Sequence, residues 1–460
     1  MTTKIRFIVR KNFPNINILC YFVKNFIAMK FHFARLPIVL LFVLLGLKSF
    51  AFDFDRDTVS CVDRVYEKSL KTVRLHLHDW EVSSPVMELY GEVGLEFSFD
   101  QVESQPQDFY YTVMHCTYDW KPSNLMFVDY ADGFEENEIR NYEESQSTYV
   151  QYTHFLLNLP NDDLQLKLSG NYLLIVFVKE PEERIVCTKR FMVYENIVEV
   201  EGRVNSNVFG EFKKEFQKVD FVIKPKKYPI YNPLDELKVT LVQNNQWDEA
   251  YTEMKPSFVS GDAIIFDWED KYLFNAGNEY RYFNFNNLEL NSEYVENIEY
   301  HKPYYYIDLV AGKTKYFEPY ASAEDINGGY VIKTNRRNNN NFPEIQSEYA
   351  IVHFRLNNPS MLGNASVYLY GELTNYEILP QYKMKYNMEA HCYELLMFLK
   401  QGYYNYRYVV VPEGEGAAMD RNFFEGSHRQ TENDYQLFVY HRNPSESYDR
   451  LINYTKFNSR

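Results

Sequence analysis

The densest group of reactive side chains is His115-Cys116-Thr117-Tyr118-Asp119-Trp120, which sets an imidazole, a thiol and a carboxylate close together. A Cys–His pair makes a nucleophile only when its two side chains come within hydrogen-bond reach. Neighbouring residues on a strand point to opposite faces. The spacing therefore argues for a buried strand end, with Trp120 in the core and Asp119 capping the turn at Lys121-Pro122-Ser123. His76 and His78 share a face of a strand pattern, a spacing that a metal tolerates, but no third ligand stands near them and solvent-facing residues are expected. Carboxylates such as Glu135-Glu136 and Glu182-Glu183 are too abundant for any pair to signal acid–base chemistry. The sequence holds no phosphate loop, dinucleotide fingerprint, nucleophile elbow, His-Glu-x-x-His or Cys-x-x-Cys. No catalytic, metal or cofactor residue is assigned, and an enzyme is not expected.

The remaining thiols speak of compartment rather than catalysis. Cys20 lies in a leader, which leaves Cys61, Cys116, Cys187 and Cys392. An even number permits disulfides in an oxidising compartment. Cys116 and Cys187 are the candidate bridge, with buried free thiols on strands as the equal alternative. The leader reads as a signal peptide. Met29-Lys30 opens a basic region, Leu36 to Leu47 is an apolar run of 12 residues, and Ser49-Phe50-Ala51 supplies small residues for cleavage between Ala51 and Phe52. Such a run is too short to span a bilayer, which takes about 20 residues. Met29 is the expected start of translation, and the exported chain is expected in the periplasm without membrane insertion. Removing residues 1–51 takes away eight basic residues and no acid, so the formal charge moves from −16 to −24. Acidity of that degree excludes nucleic acid as a natural partner.

Positioning falls almost wholly to strands. Val73–His78, Leu95–Asp100 and Cys187–Tyr194 alternate with period two, and Tyr172–Val178 is an apolar core run. The acidic stretch from Phe134 to Glu144 is expected to form a short helix or ordered loop. Further strands are read at Val219–Lys224, Leu237–Gln243, Ala263–Trp268, Tyr280–Phe285, Tyr349–Leu356, Ala365–Tyr370, Cys392–Leu399, Asn405–Val411 and Asp434–Tyr440. The expected fold is all-β: consecutive immunoglobulin-like or early-set sandwiches over 52–196, 197–335 and 344–460, with 336–343 as an Asn-rich linker or loop.

The 41 Tyr and 35 Phe residues concentrate on such strands. Tyr404, Tyr406 and Tyr408 share one strand face, and the stretches Ala365–Tyr376 and Gly402–Tyr408 resemble the early-set modules found beside glycan-processing enzymes. Those modules carry a Trp near the position of Tyr376. Packing is the preferred reading of these tyrosines; docking aromatics at Tyr376, Tyr404, Tyr406 and Tyr408, including a carbohydrate-binding face, are the alternative.

Taken in order, Ser98-Phe99-Asp100, His115–Ser123, Ser169–Tyr172, Gln243–Trp247, Ala276–Arg281, Leu399–Tyr406, Glu425-Gly426 and Glu432–Tyr435 give a pattern that resembles the plug protein family of the Bacteroidota type IX secretion system. Gln101 departs from the second Asp frequent there. The resemblance implies a periplasmic, non-catalytic all-β protein without cofactor. It would bind the periplasmic mouth of the giant outer-membrane β-barrel translocon and seal it while no substrate is engaged.

Overall fold

The computed structural model describes residues 59–102, 107–206, 215–335, 342–414, 416–443 and 445–460. The signal peptide, the Ala51/Phe52 cleavage point and residues 336–341 of the expected linker lie outside the described residues. Strands dominate, and the α-helices are single turns such as Phe127–Tyr130 and Pro343–Gln346. No helix among the described residues is long and apolar enough to cross a membrane.

Two sheets face each other in the first sandwich. One runs Arg64–Val65, Arg184–Tyr194, Gly170–Val178, Tyr110–Cys116, Asn137–Glu138, and the other runs Leu70–Leu77, Leu95–Val102, Tyr152–Leu159, Asn141–Glu144. Alternation places Phe97, Phe99 and Phe155 inside, where Phe99 stacks on Phe155 at 4.9 Å and meets Phe109 edge-on at 5.0 Å. Gly170–Val178 is buried along its whole length, as its unbroken apolar run requires. The acidic stretch is extended rather than helical: Asn141–Glu144 is an exposed edge strand paired with Tyr152–Leu159. Its carboxylates cost little there, because an edge strand leaves one side to water.

The other two sandwiches are nested rather than consecutive. Glu199–Asn205, Phe216–Lys224, Ala263–Phe266 and Phe258–Ser260 form one sheet of the second sandwich. The facing sheet is Leu237–Gln243, Asp434–His441, Arg450–Asn458, so two of its three strands come from the C-terminal end of the chain. Asp434–His441 thus closes the second sandwich, not the third as expected. The reason lies in its inward side chains: Tyr435, Leu437 and Val439 complete a core with Val239, Leu241, Phe221 and Ile223.

Between these halves of the second sandwich lies the third. Arg281–Asn284, Tyr330–Ile332 and Ala365–Tyr370 all pair with the long strand Gly402–Pro412. Their sheet faces Val295–His301, Tyr304–Leu309, Tyr349–Asn357, Cys392–Lys400 and Lys385–Asn387. Strands expected in 197–335 therefore sit in the third core with those of 344–460. Arg56–Arg460 forms one compact unit.

Residues 197–335 expressed alone lack every sheet neighbour of Leu237–Gln243, so this fragment is expected to show no cooperative thermal transition by far-UV circular dichroism. A cooperative transition would restore the consecutive division.

Candidate functional site

None of the reactive groups singled out in the sequence assembles a catalytic set. His115 packs edge-on against Tyr172 at 5.0 Å and places Nε2 3.4 Å from the Ser169 carbonyl. Burial pushes its imidazole down to about 4. Cys116 points away, with its S–H towards Cys61. Asp119 is engaged by the Thr117 hydroxyl at 2.5 Å and Lys121 at 2.6 Å. His76 corrects its solvent-facing expectation: it is buried, with Nδ1 2.9 Å from the Leu77 carbonyl, while His78 is half exposed beside Asp79. Among the described residues no three His, Cys, Asp or Glu side chains gather as metal ligands.

Of the two alternatives for Cys116 and Cys187, the structure has the free thiols. All four described cysteines are free, and Cys116 and Cys187 stand on either side of Gly170–Val178, opposite Asn171 and Val176 respectively. Five residues of strand separate those registers by roughly 17 Å, beyond the reach of a disulfide.

Tyr404, Tyr406 and Tyr408 are buried, which removes them as docking aromatics. Tyr404 is sandwiched between Phe283 at 5.2 Å and Tyr330 at 5.1 Å, both nearly parallel to it. Tyr376 is half-buried against Tyr370 at 5.5 Å. Exposed aromatic surface lies elsewhere: Tyr149 of the first sandwich meets Tyr300 of the third at 4.8 Å, and Phe317 is 86% exposed. Alternation reveals which tyrosines share a face, but not whether that face looks inward.

What the structure does assemble is a set of buried polar junctions between sandwiches. Asp100, fully buried, joins the first to the third. It accepts hydrogen bonds from Lys400 Nζ at 2.5 Å and Tyr349 at 2.6 Å, while His154 Nδ1 lies 2.7 Å away. Thr72 donates to the Tyr349 oxygen at 2.6 Å, and the Lys400 ammonium lies 4.2 Å over the Tyr152 ring. Burial pushes the Asp100 carboxyl upward, yet Lys400 and His154 together hold it below the usual carboxylate range. Burial pulls the Lys400 ammonium below its ordinary value. Nearby, Arg74 pairs with Glu81 at 2.6 Å and reaches the Tyr330 carbonyl at 3.3 Å. A cleft of about 460 Å³ opens beside this junction, lined by Lys71, Thr72, Glu372 and the exposed Leu396.

The first and second sandwiches meet where Arg190 lies over Trp120 at 4.5 Å, with Trp247 edge-on to Trp120 at 5.2 Å. Tyr440 donates to Asn171 Oδ1 at 2.7 Å across the same junction. Amides gather where the chain passes between the second and third sandwiches: Asn244 Nδ2 donates to Asn433 Oδ1 at 2.7 Å, and Asn433 Nδ2 to the Ala276 carbonyl at 2.9 Å. Gln246 donates to the Tyr280 hydroxyl at 3.1 Å, and Arg407 covers the Tyr280 ring at 3.9 Å. Two glycines answer to close approach. A Cβ on Gly170 would stand 2.6 Å from His115 Nε2, and one on Gly402 2.3 Å from the Val331 carbonyl.

Several of these junction residues fall in the motifs of the sequence, among them Asp100, Trp120, Asn171, Asn244, Trp247, Tyr280, Lys400 and Asn433. A family model, type 9 secretion system plug protein 1st domain, matches residues 70–195, the strands of the first sandwich. A crystal structure of a hypothetical protein from Parabacteroides merdae is 35% identical and matches with a TM-score of 0.83, over 87% of this chain and 100% of that one. This chain belongs to the type 9 secretion system plug protein family. Among curated proteins nothing matches it. The plug-family domain ends at Tyr194/Glu195, the last residues before the chain enters the second sandwich.

Lys400→Met leaves Asp100 buried without its cation, and a loss of about 3–5 kcal/mol is expected in urea unfolding. Adding Asp100→Leu is expected to recover much of it. His115 yields a pH effect: with a folded value near 4 and an unfolded one near 6.5, the unfolded chain binds the extra proton between them. Stability from this residue is therefore lost as pH falls from about 6.5 towards 4, by up to about 1.4 kcal/mol per pH unit. The difference between wild type and His115→Phe in that window measures it.

Proposed function

We propose that this protein is the gating plug of a type IX secretion machine, exported to the periplasm and seated on the periplasmic mouth of the outer-membrane β-barrel translocon. It keeps that pore closed while no substrate is engaged, and it performs no catalysis. The observation that carries this reading is the plug-family first sandwich joined through buried polar contacts to two further sandwiches. A stopper must be wider than a single module and must not flex under load. Three sandwiches tied at buried junctions meet that requirement better than beads on linkers.

Reversible closure calls for a contact that is broad and polar-rimmed rather than an obligate apolar one. An acidic surface with scattered exposed tyrosines suits such a contact and disfavours adhesion to anionic lipid. The alternative of a carbohydrate-binding face rested on Tyr376, Tyr404, Tyr406 and Tyr408; the last three are buried, which leaves only half-buried Tyr376 of that set in reach of a sugar ring.

Affinity capture of the tagged translocon from native membranes tests the reading. The chain is expected with barrels free of substrate and reduced on barrels carrying a stalled one. Deleting its gene is expected to raise uptake of large antibiotics through the outer membrane. Empty barrels that never carry the chain, together with unchanged uptake, would overturn the proposal.

A further inference from the structure

Cys61 and Cys116 are separated by 55 positions, yet their sulfurs lie 3.7 Å apart and both thiols are buried. Cys116 ends the strand Tyr110–Cys116, whereas Cys61 lies just before the short strand Arg64–Val65. Contacts that do not involve sulfur fix the backbone around Cys61. Arg190 Nε donates to the Cys61 carbonyl at 2.6 Å, the Arg190 backbone N–H donates to Asp63 Oδ1 at 2.6 Å, and Thr188 donates to the Val62 carbonyl at 2.7 Å. A disulfide needs its sulfurs at roughly 2.05 Å, and the two buried thiols already stand side by side.

We propose that Cys61 and Cys116 form an intramolecular disulfide on meeting a disulfide-class oxidant, and that this cystine anchors the N-terminal segment to the first sandwich. The Cys61 thiolate attacks one sulfur of the oxidant, forming a mixed disulfide and expelling the other sulfur as a thiolate. The Cys116 thiolate then attacks Cys61 Sγ, forming the internal bond and releasing the second sulfur. Two thiol protons pass to solvent or to the departing sulfurs. Two electrons reduce the oxidant to its dithiol form.

The surroundings assign the order of attack. Hydrogen bonding from Cys116, reinforced by the nearby Arg190 charge, lowers the Cys61 thiol from its ordinary value, although burial opposes this. Donation to Cys61, and then burial, raises Cys116. Access comes through the Cys61 segment, which pairs with Cys187–Thr188 through the two-residue ladder of Arg64–Val65. Cys187 is a poor competitor, since burial pushes its thiol up to about 12, and Cys392 belongs to a different sandwich. The cystine would brace the strand end beside Arg190, the residue that lies over Trp120 at the junction with the second sandwich. The proposal stands on thiol geometry and is independent of any role at a translocon.

The test takes the purified full chain, reduces it, and exposes it to an excess of oxidised over reduced glutathione before quenching with N-ethylmaleimide and peptide mapping. A Cys61–Cys116 linked peptide with maleimide on Cys187 and Cys392 is the expected result. Maleimide on both Cys61 and Cys116, or Cys116 linked elsewhere, would overturn it. Reducing the oxidised wild type should then lower its melting temperature by about 4 °C or more, with no such shift in Cys61→Ser. An unchanged wild-type melting temperature would overturn the anchoring role.

Discussion

A carboxylate taken fully out of water survives only when charge and hydrogen bonds surround it, and Asp100 is such a group. Two of its donors, Lys400 and Tyr349, belong to the third sandwich, and Lys400 lies 300 residues along the chain. Moving the sandwiches apart would strand an anion and a cation at once. Apolar contact is forgiving of small slides, because its energy follows area. A buried ion pair with fixed hydrogen-bond geometry is not. Lys400 and Tyr349 thereby tie the third sandwich to the first beside the cleft lined by Lys71 and Glu372.

The remaining junctions extend that constraint with neutral groups. Asn433 spends its amide on Asn244, Gln217 and the Ala276 carbonyl, so one side chain ties the returning C-terminal strand to the segment that leads into the third sandwich. Nesting adds to this. The third sandwich leaves and re-enters the second through Ala276 and Asn433, which gives it two covalent connections where a consecutive domain has one. Rigidity here comes from chain path and polar satisfaction together. Both bear on the plug role proposed above.

Much of this was legible in the sequence because strands announce themselves by alternation. Leu237–Gln243 is legible to the residue, and Leu95–Asp100 falls two residues short of the strand Leu95–Val102, because short apolar runs with period two satisfy a strand. Pairing between distant strands was not legible. Leu237–Gln243 and Asp434–His441 are both ordinary core strands, and nothing local in either tells which partner lies almost 200 residues away. Cys116 illustrates the same gap: its neighbour Cys61 is set by where the N-terminal segment crosses the sheet, not by spacing. Alternation puts Tyr404, Tyr406 and Tyr408 on one face, but an aromatic face serves core and contact surface equally well. Asp100 and Lys400 were present in the motifs; their burial was invisible because each alone reads as a surface charge.

The junction motifs also explain how aromatic excess and acidity coexist. Aromatic rings fill three cores and roof the buried cations, as Tyr152 does for Lys400 and Tyr280 for Arg407. The acidic surplus lies on surface loops and edges such as Asn141–Glu144. The most direct measurement of the central claim is scanning calorimetry of the whole chain near neutral pH. Junctions that make one body predict a single transition whose calorimetric and van't Hoff enthalpies agree. Two or three resolved transitions, with the first sandwich melting apart from the nested pair, would contradict it.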